Sequence, residues 1–286
     1  VGLPTFSAEV PLNVLFEMLP VPALHYTAAQ WTMKAGAATL ATGDVKIDLA
    51  LNDKKKRWEG TWSIAGITAE GAPMDVPALL AQGTITLEEN RVLLSGKVAD
   101  AGNRYHAAFD VTYDLQAAAK SKLKVSNLRL PWNGGVVGVN AATLPLAGNH
   151  ATELTLVVEK VSIAELMKAL TGERASGTGL VSGTIPVTVT KQGDIILQNG
   201  NLKADEPGVI AITPETIPGD NAQVTLVRDV LKNLHYTLLS ISVNSEKDKS
   251  MSILMAVEGR NPDMLESRPV RLNVHLSGDV LNLLRQ

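Results

Sequence analysis

Residues 161–212 read VSIAELMKALTGERASGTGLVSGTIPVTVTKQGDIILQNGNLKADEPGVIAI, and both periods that organise the chain occur in this stretch. Ser162 stands three residues before Glu165, the spacing of a capping box that starts a helix. Ile163, Leu166, Met167 and Leu170 then recur at helical spacing and give a short helix, Ser162–Leu170, one apolar face. Gly172 is placed to stop it. Ser176-Gly177-Thr178-Gly179 reads as a flexible loop. Beyond it Ile185, Val187 and Val189 alternate with Thr184, Pro186, Thr188 and Thr190, the two-residue period of a strand with one apolar face. Gln192-Gly193-Asp194 turns the chain and Ile195-Ile196-Leu197 starts the return. Asn199-Gly200-Asn201 and Glu206-Pro207-Gly208 read as further turns. The stretch contains no reaction centre. It predicts a β-sheet with one apolar face.

Upstream, Val14, Leu15, Met18 and Leu19 share a face of a short helix over Val10–Leu19, with Pro11 in its first turn. This helix and the one at Ser162 both stand before β-rich stretches, which suggests a repeat. Val45, Ile47, Leu49 and Leu51 alternate with Asp44, Lys46, Asp48 and Ala50. A polar tip at Asn52-Asp53-Lys54-Lys55-Lys56 leads into a strand from Trp58 to Ile64. The basic run Lys54-Lys55-Lys56-Arg57 reads as a solvated hairpin tip rather than a lipid-headgroup contact. Gly83–Leu87 and Arg91–Val98 flank a tip at Glu88-Glu89-Asn90. From Tyr105 to Leu115 the alternation is strict: Tyr105, Ala107, Phe109, Val111, Tyr113 and Leu115 face one way, and His106, Ala108, Asp110, Thr112 and Asp114 the other. Such a strand belongs to an antiparallel sheet with one wet face. Lys122–Leu130 and Leu154–Val161 are further strands, with a turn at Trp132-Asn133-Gly134-Gly135.

Downstream, Asn221 is an N-cap for a second amphipathic helix over Asn221–Asn233, with Val224, Val227 and Leu231 on its apolar line. Tyr236–Asn244, Met251–Glu258 and Val270–Gly278 close the chain as strands. In the last, Leu272, Val274 and Leu276 alternate with Arg271, Asn273 and His275. Residues 1–160 form a β-rich segment opened by a short helix. Residues 161–286 form a β-rich region with two short helices. The fold class is mainly β, read as one continuous elongated body with a few short amphipathic helices. Many short strands with regular turns fit a sandwich as well.

Aromatic residues are scarce, at four Trp, four Tyr and three Phe, and the apolar content is aliphatic, as suits sheet faces. A net charge of −3 with no basic stripe excludes an electrostatic footprint for nucleic acid. The absence of cysteine excludes disulfides and cysteine metal sites. No apolar run is long enough to span a bilayer. The chain begins Val1-Gly2-Leu3, so any anchor or export signal is expected upstream of it.

Motifs for chemistry are missing. His25, His106, His150, His235 and His275 are scattered, and none stands at metal-ligand spacing. Ser121 and Lys124 have Ser-x-x-Lys spacing but start a strand rather than a helix. Gly177, Gly179 and Gly183 follow a helix and lead into a strand, the reverse of a dinucleotide loop. Glu88 and Glu89 lie on a tip with nothing to raise a pKa. No catalytic residue, metal site or cofactor is expected, and the protein is read as a non-enzyme.

Four features between Val161 and the C-terminus resemble the YdbH-type proteins of Gram-negative bacteria, within the AsmA-like, TamB-related group. The first is the helix and loop from Ser162-Ile163-Ala164-Glu165-Leu166 to Gly179; the second is Ser182-Gly183-Thr184-Ile185-Pro186-Val187. The third joins Gly193-Asp194-Ile195, Gly200-Asn201-Leu202-Lys203-Ala204 and Glu206-Pro207-Gly208. The fourth is the closing series Leu234-His235-Tyr236, Glu258-Gly259-Arg260-Asn261-Pro262, Leu272-Asn273-Val274 and Leu281–Leu284. Together they span a little under half of the chain.

The resemblance implies a long curved antiparallel sheet, folded like a taco shell around an apolar groove. It implies an inner-membrane anchor upstream and a periplasmic body that carries phospholipid to the outer membrane. It also implies a small outer-membrane lipoprotein as partner at the C-terminal end. On this reading Tyr105, Phe109, Val111, Tyr113, Ile185, Val187 and Val189 line a groove for phospholipid acyl chains. Leu272, Asn273, Val274, His275 and Leu276 form an edge that accepts a partner strand. Two other classes stay open: an envelope-assembly scaffold that binds proteins by strand addition, and a solute component, as in the dicarboxylate-transport label the family has carried. No basic cluster suits two carboxylates.

Overall fold

The computed structural model describes residues 23–28, 31–35, 38–70, 76–146, 150–171, 173–191, 194–214, 221–246, 251–264 and 268–278. The helix expected at Val10–Leu19 and the stop at Gly172 lie outside them. Among the described residues there are nineteen strands and two α-helices, so the fold is mainly β. The strand registers are antiparallel throughout. The chain divides into two compact units, one of Val1–Leu128, Ala141–Thr152 and Lys191–Gly193, the other of Arg129–Asn140, Glu153–Thr190 and Asp194–Gln286.

In the first unit β1 (Ala23–Ala28) pairs with β4 (Val45–Asn52). The sheet continues in chain order through β5 (Arg57–Glu70), β6 (Leu79–Glu88), β7 (Arg91–Ala99) and β8 (His106–Asp114). A hairpin of β2 (Trp31–Ala35) and β3 (Ala38–Thr42) pairs with the far end of β5. Of the expected tip Asn52–Lys56, Asn52 ends β4 and the turn is formed by Asp53 to Lys56, with Lys56 in the left-handed region at φ 50°. β5 carries an irregularity between Ile64 and Ile67, where Gly66 takes φ 62°; an extra residue of this kind bends a strand. β8 is shorter than the period suggested. Tyr105 precedes it, held in a loop where its N–H donates to the Asp100 carboxylate at 2.9 Å.

β9 (Lys122–Trp132) and β10 (Gly135–Pro145) form a hairpin. Its two-residue tip, Asn133-Gly134, has positive φ at both positions, 44° and 75°, as a type I′ turn requires. β10 is a strand that the period does not reveal. Gly138 and Val139 are consecutive and both buried, and a strand covered on both faces loses its alternation.

The second unit continues with β11 (Thr152–Ser162), which pairs with β10, and then α1 (Ile163–Thr171). Ser162 caps α1 by accepting the Glu165 N–H at 3.3 Å. Its own N–H donates to Asn133 O at 2.9 Å, so a loop takes the place of the reciprocal arm of the capping box. Ser176 and Gly177, expected within a loop, lie in β12 (Ala175–Gly177), a strand that pairs with β16 (Gly208–Ile212). Its small side chains hide the period but admit α1: a Cβ on Gly177 would meet Ile163 Cγ2 at 2.7 Å.

β13 (Leu180–Val189) pairs with β14 (Ile195–Leu197) and β15 (Gly200–Ala204). Gly200 and Gly208, expected in turns, therefore open strands. α2 (Ala222–Leu231) starts at Asn221, whose side chain accepts the Val224 N–H at 2.8 Å. β17 (Leu234–Ser245), β18 (Met251–Arg260) and β19 (Val270–Gly278) follow as an antiparallel meander. The buried Asn261 amide donates to Asp229 O at 2.9 Å and Val230 O at 3.2 Å, which satisfies carbonyls in the last turn of α2.

Both helices cover the sheet of this unit. Ile163 of α1 and Val230 and Leu231 of α2 share a core with Val158, Val181, Ile210, Tyr236 and Val257.

Candidate functional site

The register of β4 to β8 sorts the first unit's side chains onto two faces. Four rows run across all five strands on one face: Leu51–Trp58–Leu87–Val92–Tyr113, Leu49–Gly60–Ile85–Leu94–Val111, Ile47–Trp62–Gly83–Gly96–Phe109 and Val45–Ile64–Ala81–Val98–Ala107. Every side chain in these rows is apolar or aromatic, or is the hydrogen of a glycine. The rows between them are mostly polar, as in Asp48–Thr61–Thr84–Ser95–Asp110. The two-residue period thus delivers an apolar sheet face five strands wide, although no two of its strands are distinguishable as neighbours by pattern alone.

Phe109, Val111 and Tyr113 lie on that apolar face; Tyr105 lies in the loop before it. Phe109 and Val111 are half-buried and Tyr113 is exposed. Ile185, Val187 and Val189 lie on β13 in the second unit. Val187 stands opposite Leu197 and is buried, whereas Ile185 and Val189 are half-buried; Ile185 packs against the helix-covered core. In β19 Leu272 and Val274 are half-buried and Asn273 and His275 exposed, with Val257 opposite Leu272 and Met255 opposite Val274. The side chain of Leu276 lies outside the described set.

The polar face of the first unit holds an open depression of about 650 Å³. Lys46, Asp48, Ser95, Lys97 and Asp110 border it, and it also touches Trp62, Gly83, Gly96 and the expected groove residue Phe109 of the third apolar row. Ser95 donates to the Asp110 carboxylate at 2.7 Å. Beyond the depression, near the tip that joins β4 to β5, charges are paired. Arg57 bridges Glu59 at 2.5 Å and Glu88 at 3.2 Å, and Lys55 reaches Glu59 at 3.2 Å. The Asn52 amide, then Arg57 and Lys55, hold the Glu59 carboxyl down at about 2. For Asp100, burial pushes the carboxyl up, but the N–H groups of Tyr105, Arg104 and Gly102 and the Arg104 side chain outweigh it, so the net direction is down.

His25 pairs with Asp48 across the β1–β4 register, a contact between residues too far apart in sequence for local spacing to show. Ser121 is buried and its hydroxyl accepts the Asp114 N–H at 2.9 Å, a turn-closing role. Among the described residues no three His, Cys, Asp or Glu side chains are grouped to hold a metal, and no helix is long and apolar enough to cross a membrane.

An extended apolar sheet face suits an apolar ligand of repeating structure. The family model described as YdbH-like, intermembrane phospholipid transport protein YdbH, matches residues 11–286. The chain belongs to this YdbH-like family. No curated protein and no solved structure matches it. The YdbH-like match extends well upstream of Val161, where the recognisable motifs began, and takes in the strands that carry the four apolar rows.

Proposed function

We propose that this chain carries phospholipid between the inner and outer membranes of a Gram-negative envelope, as a periplasmic part of a bridge whose apolar sheet face receives the acyl chains. The observation that carries the reading is the run of four apolar rows across β4 to β8, in a chain of an intermembrane phospholipid transport family. Leaving such a face in water costs about 25 cal/mol per Å², and acyl chains remove that cost without any fixed geometry. The role needs no bond chemistry, so the protein is a carrier and not an enzyme. An inner-membrane anchor upstream and a small outer-membrane lipoprotein docked on β19 complete the proposed path, whose consequence is outer-membrane lipid homeostasis.

Mass spectrometry of lipid extracted from the purified chain tests this. Phospholipid well above that of a similarly purified control protein is the expected result. A lipid-free chain that retains a bound peptide instead would replace this reading with the strand-adding scaffold.

A further inference from the structure

Burial on the apolar face of the first unit rises from one side to the other, from a row with no buried residue to one with three buried and two, Ile64 and Val98, half-buried. In the outermost row Leu51 and Tyr113 are both 40% exposed, and none of its five residues is buried. In the innermost row Val45, Ala81 and Ala107 are all buried, next to the irregularity that bends β5. Between them each row buries one residue at 6% exposure, Leu49 in the second and Trp62 in the third, the last row before the most buried one. The Trp62 row has no side chain on two adjacent strands, at Gly83 and Gly96.

The Trp62 indole fills the place at Gly96. A Cβ on Gly96 would lie 2.4 Å from Trp62 Cζ2 and 3.0 Å from Cη2, so the ring from β5 covers the backbone of β7. Covering a strand glycine with a neighbour's ring is a recognised way to pin a sheet. The indole is fixed at both ends. Its N–H donates to Thr84 O at 3.1 Å, and its rings meet Phe109 on β8 at a centroid distance of 5.7 Å. Trp62 is 6% exposed. Swinging it outward would break its hydrogen bond to Thr84 O and uncover Gly96, so the ring acts as a barrier rather than a gate.

We propose that Trp62, backed by Phe109, is the inner wall of the acyl path. Lipid tails occupy the strip formed by the Leu51 and Leu49 rows and stop at the indole. The strip crosses five strands, four spacings of about 4.8 Å, or roughly 19 Å, and each row lies about 7 Å from the next along the strands. The proposal rests on the lipid-carrying reading above and adds which residue limits the depth the tails reach.

A photo-crosslinkable residue placed singly at Val92, Val111 and Val98 samples the outer row, the second row and the row beyond Trp62. Each variant is incubated with vesicles of phosphatidylethanolamine and phosphatidylglycerol and irradiated. Strong lipid capture at Val92 and Val111, none at Val98, and capture at Val98 once Trp62→Ala is added is the expected result. Should Trp62→Ala lose its cooperative melt, Trp62→Leu takes its place with the same expectation. Capture at Val98 equal to that at Val111 with Trp62 intact overturns the inference alone. Continued silence at Val98 in a folded Trp62 variant does the same. Silence at all three positions overturns the lipid reading of this face, and the inference with it.

Discussion

The hydroxyl of Tyr236 donates to Thr178 O at 2.8 Å from a ring only 1% exposed. Two glycines make room for it: a Cβ on Gly208 would stand 2.5 Å from the hydroxyl oxygen and 2.8 Å from Cζ, and a Cβ on Gly179 2.2 Å from the oxygen. Tyr236→Phe leaves the Thr178 carbonyl without this donor and should cost about 1 kcal/mol. Gly208→Ala should cost more, because the clash with Cζ survives removal of the hydroxyl. In combination the two changes should cost less than their sum, since the first relieves part of the second. Thermal melts of the four proteins check this; strict additivity would mean that the hydroxyl and Gly208 do not share one packing site. Burial pushes the Tyr236 phenol up, so spectroscopic titration should find one tyrosine ionising after the ordinary range.

Glu59 supplies a dependence on acid. Its folded-state pKa is depressed, from 4.5 to about 2, by the Asn52, Arg57 and Lys55 contacts. A depressed carboxylate stabilises the fold above its unfolded pKa and loses that contribution as pH falls through the folded value. Glu59→Gln should therefore lower the melting temperature at neutral pH and flatten its decline between about 4.5 and 2. The group is partly solvated, so the effect is modest. Parallel pH–melting curves for parent and variant would show that the contacts do not distinguish the folded from the unfolded chain.

Val111 and Val187 should respond differently to the same charge. Val111 is half-buried on the apolar face of the first unit, where a carboxylate can still hydrate. Val187 is 5% exposed. Val111→Asp is expected to stay folded and to lose most of its bound phospholipid. Val187→Asp buries an unpaired charge, worth several kcal/mol after relaxation, and is expected to lose its cooperative melt. A folded Val111→Asp protein that retains the parent's full lipid content would remove this face from the proposed path.

What the sequence made legible follows from how local each signal is. The alternation at Val45–Leu51 and along β19 is written in consecutive residues, and the structure repeats it closely; along β8 the register keeps the two faces, but exposure does not alternate, with Tyr113 exposed and Thr112 half-buried. The caps at Ser162 and Asn221 act within a single turn and were equally readable. β10 was hidden because Gly138 and Val139 are both buried, and β12 because its side chains are too small to show a period. Trp62 was invisible as a candidate for another reason. Its meaning depends on Gly83 and Gly96, which only the registers of β5 with β6 and β6 with β7 bring beside it. The His25–Asp48 pair likewise exists only through the β1–β4 register.

The last prediction concerns β19 as a docking edge. β19 runs against β18 from Val270 opposite Gly259 to Gly278 opposite Met251, and this ladder holds one side of its backbone. In an antiparallel strand successive residues direct their N–H groups to opposite sides. Of the neighbours Asn273 and Val274, one therefore points its N–H toward β18 and the other away. A partner strand added to the outer side would draw its affinity from the outward groups and its selectivity from alternate side chains. Proline removes one N–H and is tolerated where that N–H is not in a ladder. Asn273→Pro and Val274→Pro should thus behave unequally. The inward one should destabilise the meander, and the outward one should keep the parent's melting temperature while losing the lipoprotein in a pull-down with purified partner. If both variants stay folded and bind that lipoprotein as the parent does, the partner docks elsewhere.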